Sequence, residues 1–204
     1  ENLQVFGCKA VSEYFLLRGK NLTFRDVEFE GKYSFQYVEN AIFENCTLNT
    51  KDAFWHGRNI TLRNCTVKGE YLAWYSENLT LENCTIIGTQ PFCYCEDLKL
   101  VGCTMEGTDL SFEYSDVEAD VIGHIDSIKN IRSGYVRADS IGEIISLESR
   151  VHGDHGIPGD WRGKKEHGGG MILDWGVHLI DQMLGIVYDK KIEKVYCRCD
   201  HLTN

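Results

Sequence analysis

Apolar and polar residues alternate in short bursts along the first two thirds of the chain, and the bursts recur. In NLTLENCTI, which begins at Asn78, Thr80 separates Leu79 from Leu81 and Thr85 separates Cys84 from Ile86. A period of two marks a half-buried strand. The Asn83-Cys84 step shifts the phase by one residue, as a corner between two short strands would. Asn suits a corner because it tolerates left-handed φ and bonds its own backbone. The stretches NLTFRDVEF, NAIFENCTL, NITLRNCTV and DLKLVGCTM follow the same scheme. Asn2, Asn21, Asn40, Asn59, Asn78, Asp97 and Asp116 head successive units, 19 residues apart throughout.

A 19-residue unit with two or three strands is too short for useful hairpins or a crossover helix. Stacked, such units form a parallel β-helix whose coils pair at about 4.8 Å. Residues 2–115 are therefore predicted to make six coils. The columns Cys8, Val27, Cys46, Cys65, Cys84, Cys103 and Val5, Phe24, Phe43, Leu62, Leu81, Leu100 would point inward, together with Phe29, Leu48, Val67, Ile86 and Met105. Gly31, Gly69, Gly88 and Gly107 share one column, read as a second corner needing positive φ.

The third segment of each unit varies most: YFLLRG, YSFQYV, DAFWHG, YLAWYS, QPFCYC, DLSFEY. Read as a strand, it sends neighbouring columns to opposite sides. Arg18, Tyr37, His56, Tyr75, Tyr94 and Glu113, with polar tips, are placed outside. Leu17, Gln36, Trp55, Trp74, Cys93 and Phe112 are placed inside, with the reverse arrangement left open. An exposed row of Tyr37, His56, Tyr75, Tyr94 and Glu113 would suit a carbohydrate, rings stacking on sugars and hydroxyls supplying bonds. The alternative is an aromatic ladder that only packs, with or without a protein laid over it. Hydrolysis of a polysaccharide wants two carboxylates flanking one bond, and this column offers Glu113 alone.

Composition narrows the field. With 21 Lys+Arg against 31 Asp+Glu the net charge is −10, which disfavours nucleic acid or an anionic membrane as partner. No apolar run reaches the length of a membrane span. Nine Cys without a secretory signal suggest reduced thiols and a cytoplasmic location. The Asn-x-Thr triplets at Asn21, Asn45, Asn59, Asn64, Asn78 and Asn83 follow from corner Asn and outward Thr, and are read as structural rather than as glycosylation sites. A row of Cys lacks the converging ligands zinc wants, so no metal is expected. Cys93 and Cys95 share a strand face but are read as packing residues.

KYSFQYVEN, KDAFWHGRN, GEYLAWYSENLTLENC and GTQPFCYCEDLKL resemble a bacterial β-helix family of unknown function, similar in fold to the pectate-lyase superfamily. The resemblance covers residues 1–147 and implies a right-handed parallel β-helix. Family members are longer at the N-terminus, which implies that the chain starts mid-solenoid.

The 19-residue period stops after Ile145. From Met171 to Leu184 the pattern is helical, with Met171, Trp175, Leu179 and Met183 on one stripe and Asp174, His178 and Asp181 on another face. A helix from about Gly170 to Met183 is predicted. An Asp behind a His can fix its tautomer for proton transfer, or simply be a surface pair. GDWRG followed by GGGMILDWGVHLIDQML resembles the second domain of Gfo/Idh/MocA oxidoreductases, which exchange hydride between NAD(P) and sugars or cyclitols. The resemblance covers residues 149–204. It implies that His178 is the proton-transfer residue, Asp174 its partner, and Trp161 and Arg162 near the sugar site. The family's Gly-rich nucleotide loop and its Glu-Lys-Pro string have no counterpart here. No cofactor is therefore expected for this chain; NAD(P) belongs to the oxidoreductase alternative. The join near Leu147–Arg150 is read as an assembly or gene-calling junction, or else as a genuine appendage capping the solenoid. Three functions stay open: a scaffold binding a glycan or protein, an NAD(P)-linked oxidoreductase acting on a sugar or cyclitol, and a carbohydrate-active enzyme. The oligomeric state is not readable from the sequence.

Overall fold

In a computed structural model, which describes residues 1–146 and 176–186, strands β1 to β15 are followed by one helix, α1. The first coil contributes β1 (Leu3–Phe6) and β2 (Lys9–Glu13), the second β3 (Lys20–Arg25) and β4 (Glu28–Lys32), and the third β5 (Glu39–Glu44) and β6 (Thr47–Lys51). The next two hold β7 (Arg58–Arg63), β8 (Thr66–Lys68), β9 (Glu77–Glu82) and β10 (Thr85–Ile87). Strand β11 (Glu96–Glu106) runs unbroken across both sides of the sixth. β12 (Asp116–Val121), β13 (His124–Lys129), β14 (Ser133–Arg137) and β15 (Ser140–Ser146) finish the solenoid, and α1 spans Val177–Ile186. Two compact units result, residues 1–147 and 148–204.

Odd-numbered strands through β11 pair in parallel on one side and even-numbered ones on another, always one coil apart: Val5 with Phe24, Phe29 with Leu48, Ile60 with Leu79. The three strand-side columns predicted to face inward do so. Phe24, Phe43, Leu62, Leu81 and Leu100 are buried, as are Phe29, Leu48, Val67 and Ile86 and the four thiols Cys46, Cys65, Cys84 and Cys103. Each of the last three thiols donates to a carbonyl 22 residues back, on Phe43, Leu62 and Leu81.

Asn makes the corners for two reasons at once. Asn21, Asn40, Asn59 and Asn78 hold φ of 52–57°. Their amides also form a ladder, each Nδ2 donating to the Oδ1 one coil back, at 2.9–3.1 Å. A second ladder runs Asn64 to Asn45 to Asp26 at the other corner. The glycine column needs correction. Gly88 and Gly107 do have positive φ, but Gly31 and Gly69 do not. A Cβ on Gly31 would stand 1.9 Å from the Ser12 carbonyl oxygen, and one on Gly69 would stand 2.2 Å from that of Thr50. Close approach between coils excludes a side chain there.

The third side is not a strand. Every second residue is left-handed: Tyr33, Phe35, Tyr37; Asp52, Phe54, His56; Tyr71, Ala73, Tyr75. Their N–H groups point alternately to the coils on either side, Tyr33 to Lys51, Phe35 back to Phe15, Tyr37 to Trp55. Strand-like alternation of side chains therefore fails. Phe35, Phe54 and Phe92 point inward, and Phe112 joins that row by stacking on Phe92 rather than following Trp55 and Trp74. In the second unit α1 continues to Ile186, past the Met183 end predicted for it; the stretch 170–175 lies outside the described residues.

Candidate functional site

The third side carries an aromatic ridge because its left-handed positions recur in register. Tyr37, His56 and Tyr75 stack at centroid distances of 4.8 and 5.0 Å, Tyr75 and Tyr94 at 4.9 Å, with ring planes within 11° of parallel. Those spacings equal the coil repeat, so the backbone sets them. Arg18 covers the Tyr37 end at 5.7 Å, and Tyr114 extends the other end at 6.1 Å. Tyr37 and Tyr75 are each 43% exposed, His56 is exposed and Tyr94 half-buried. Burial first, then the Glu113 carboxylate, holds the Tyr94 phenol above its ordinary value.

Glu113, predicted to end this row, does not belong to it. Phe92 and Phe112 stack 20 positions apart, while Leu98 and Val117 pair 19 apart, so the sixth coil gains one residue before its third side and loses one after it. Tyr114 takes the position instead. Glu113 is half-buried and paired with Lys129 at 3.0 Å, whose ammonium it holds above the ordinary range.

The Trp row is corrected too: Trp55 and Trp74 are half-buried, not interior. They stack at 5.4 Å, 4° from parallel. Each indole Nε1–H donates to the carbonyl 16 residues on, Trp55 to Tyr71 and Trp74 to Gln90. Gln36 makes the equivalent bond to Asp52. This row is thus tied down by its polar ends, which sequence reasoning missed; the signal available was that Gln and Trp side chains both carry an N–H to donate. Cys93 and Cys95 are buried, and burial pushes both thiols up to about 12. Among the described residues no three His, Cys, Asp or Glu side chains converge on a metal-sized site.

Residues 1–156 match the family described as Protein of unknown function (DUF3737). The chain belongs to that family. Residues 134–204 match the GFO/IDH/MocA C-terminal domain, so the two matches share 134–156, which takes in β15 and all of β14 but Ser133. No curated protein matches the chain. Of the residues that the oxidoreductase resemblance singles out, His178 is exposed on α1, as is Asp181. Asp174, Trp161 and Arg162 lie outside the described residues. No helix among the described residues is long and apolar enough to cross a membrane.

Proposed function

We propose that the solenoid of this family member is a binding scaffold, and that the Tyr37–His56–Tyr75–Tyr94–Tyr114 ridge is its contact surface for a protein. The observation that carries this is the orientation of the rings. Each face is covered by the next ring in the stack, so edges, phenol hydroxyls and the imidazole are what the ridge turns outward. Sugars stack on open ring faces, and here none is open along the row. Edge-on Tyr with a hydroxyl at its tip is instead the residue type enriched at protein interfaces. A reducing compartment such as the cytoplasm fits the free thiols of the interior.

Photo-crosslinking tests the ridge. A crosslinking residue at position 75 is expected to capture a discrete protein, whereas one at Asn49, exposed on a strand side, is not. The adduct should disappear with His56→Ala and Tyr94→Ala. Equal adducts from both positions would overturn the reading, as would quenching of Trp fluorescence by an oligosaccharide panel that Tyr75→Ala abolishes.

The match at 134–204 favours a second reading, an NAD(P)-linked oxidoreductase acting on a sugar or cyclitol. We propose that these 204 residues do not perform that reaction. Hydride transfer needs the cofactor held against its substrate. The sequence contains neither a Glu-Lys-Pro string nor a G-x-G-x-x-G loop, and His178 faces solvent. The described residues therefore do not fit NAD(P). Titration calorimetry with NAD and NADP should show no binding, and nicotinamide absorbance should stay constant with myo-inositol and glucose. Micromolar binding would put the oxidoreductase first.

A further inference from the structure

Two open cavities, of 490 and 350 Å³, occupy successive stretches of the same side of the solenoid. Both lie in the angle between the Asn corner column and the outward column of the odd-numbered strands. Asn2, Asn21, Asn40 and Asn59 wall the first, and Gln4, Thr23, Ile42 and Thr61 floor it.

The side-chain bonds of that wall leave hydrogen-bonding groups over. A side-chain amide has two N–H donors and an oxygen with two lone pairs. In the ladder Asn21, Asn40 and Asn59 each donate one N–H and accept one bond. That leaves every rung with one donor and one acceptor beside the groove, repeated at each coil. The floor adds Thr hydroxyls, likewise donor and acceptor, around the half-exposed methyl groups of Ile42.

Charge is present on both flanks but spent. On one side, immediately before the corner, Lys20 pairs with Glu39 and Arg58 with Glu77, each at 2.8 Å. On the other, two residues beyond the floor, Arg25, Glu44, Arg63 and Glu82 form a continuous alternating chain of ion pairs. The groove is therefore a neutral strip between two self-neutralised rails, in a chain whose net charge is −10. A polyanion or polycation would have to break those pairs to gain anything from them. The strip suits a chain of groups that each donate and accept, carry no charge and leave some CH surface for Ile42. Vicinal hydroxyls on a sugar ring meet an amide in that way. The second cavity differs, since Asp97, Lys99, Asp116 and Glu118 line it.

We propose that the Asn-walled groove over the first four coils binds a neutral polysaccharide lying along the solenoid axis. This does not rest on the aromatic ridge, which occupies another side of the coil.

Affinity electrophoresis of the full chain tests it, in native gels cast with dextran, galactomannan or mixed-linkage β-glucan, and with polygalacturonate as the charged comparison. At least one neutral polymer should retard the chain and polygalacturonate should not. Ile42→Glu and Thr61→Glu, both outward on strands, should weaken retardation at least tenfold while the circular dichroism spectrum stays unchanged. Tyr75→Ala should leave it intact, which separates this site from the ridge. Absence of retardation in all three neutral gels would overturn the proposal. So would equal retardation by polygalacturonate, or full retardation of well-folded groove variants. Photo-crosslinking from position 42 that labels a neutral Asn/Ser decapeptide but no neutral oligosaccharide would assign the groove to a peptide and overturn it as well.

Discussion

The strand sides and the left-handed side of each coil solve one problem with opposite means. On the strand sides, extended backbone pairs coil to coil, and only the corner residue is left-handed. On the third side every second residue is left-handed, a conformation that costs a non-glycine residue about 1–2 kcal/mol. The cost recurs in each coil and is borne mostly by Tyr and Phe, with His56, Asp52 and Ala73 among the others. Two things offset it: hydrogen bonds to both neighbouring coils, and a run of buried Phe beneath. The comparison teaches that backbone strain can be held by stacking when the same strained residue has a twin above and below.

The largest test weighs the two interiors against each other. Phe35 lies under the left-handed side and Phe43 under a strand side, their rings 5.1 Å apart and both fully buried. Truncation of either to Ala is expected to cost about 3–5 kcal/mol in urea unfolding. If left-handed residues depend on the packing beneath them, Phe35→Ala should also loosen its own side, read as faster amide exchange at Tyr37 and Tyr33 but not at Ile42. Equal exchange on both sides would erase the distinction.

Next comes Gly69→Ala. The added Cβ would meet the Thr50 carbonyl, so adjacent strand-side coils must part, at a cost of about 3 kcal/mol by thermal unfolding. The same change at Gly107, which has open space but φ of 61°, should cost about 1–2 kcal/mol from strain alone.

Asn59 separates conformation from bonding at a corner. Asn59→Ala loses both ladder bonds and the tolerance of φ 53°, and is expected to cost about 1–2 kcal/mol in the same assay. Asn59→Gly keeps the tolerance and should cost less. An equal loss for Gly and Ala would show that the ladder, not the φ value, makes Asn the corner residue.

The smallest effect is a pH dependence on the left-handed side. Asp52 is only 4% exposed, and burial raises its carboxyl above the usual range. A carboxyl whose folded pKa is raised favours the folded state when protonated, and that contribution is lost as pH rises through the folded pKa. Asp52→Asn should therefore melt slightly higher than the parent at pH 7, with the difference shrinking towards pH 4. Asp116, held low by the Arg132 guanidinium, works in the opposite sense: its contribution is lost as pH falls through its folded pKa. An Asp52→Asn gain that grows on acidification would contradict the assignment of burial as the cause.

Much of the solenoid was legible because its period is rigid. Nineteen-residue spacing aligned the Asn corners, the thiols and the Leu and Phe columns before any coordinates, since a parallel coil places identical positions above one another. The third side resisted for a physical reason. No residue type announces left-handed φ there; Tyr37, Phe54 and His56 look like strand residues, so alternation was read where none exists. Glu113 was misplaced because the extra residue before the third side and the missing one after it cancel, and Asp97 and Asp116 keep their spacing. The polar groove was invisible in a different way. Its Asn and Thr were each explained as corner and outward residues, and only stacking shows that their leftover hydrogen-bonding groups line one strip.

The bonds between coils have a mechanical consequence. The backbone bond from Tyr37 to Trp55, the side-chain bond from Asn59 to Asn40 and the indole bond from Trp55 to Tyr71 all link one coil to the next, so they point along the axis. A pull applied end to end loads every such bond between two coils together, while successive coil boundaries bear the same force in series. Over the regular coils extension should then proceed as a sawtooth of evenly spaced ruptures, each releasing one 19-residue contour length, with shorter steps from the last coils, where Asp116 pairs with Ser133 and His124 with Ser140; a sideways pull on a strand should meet the bonds in shear and hold to a higher force.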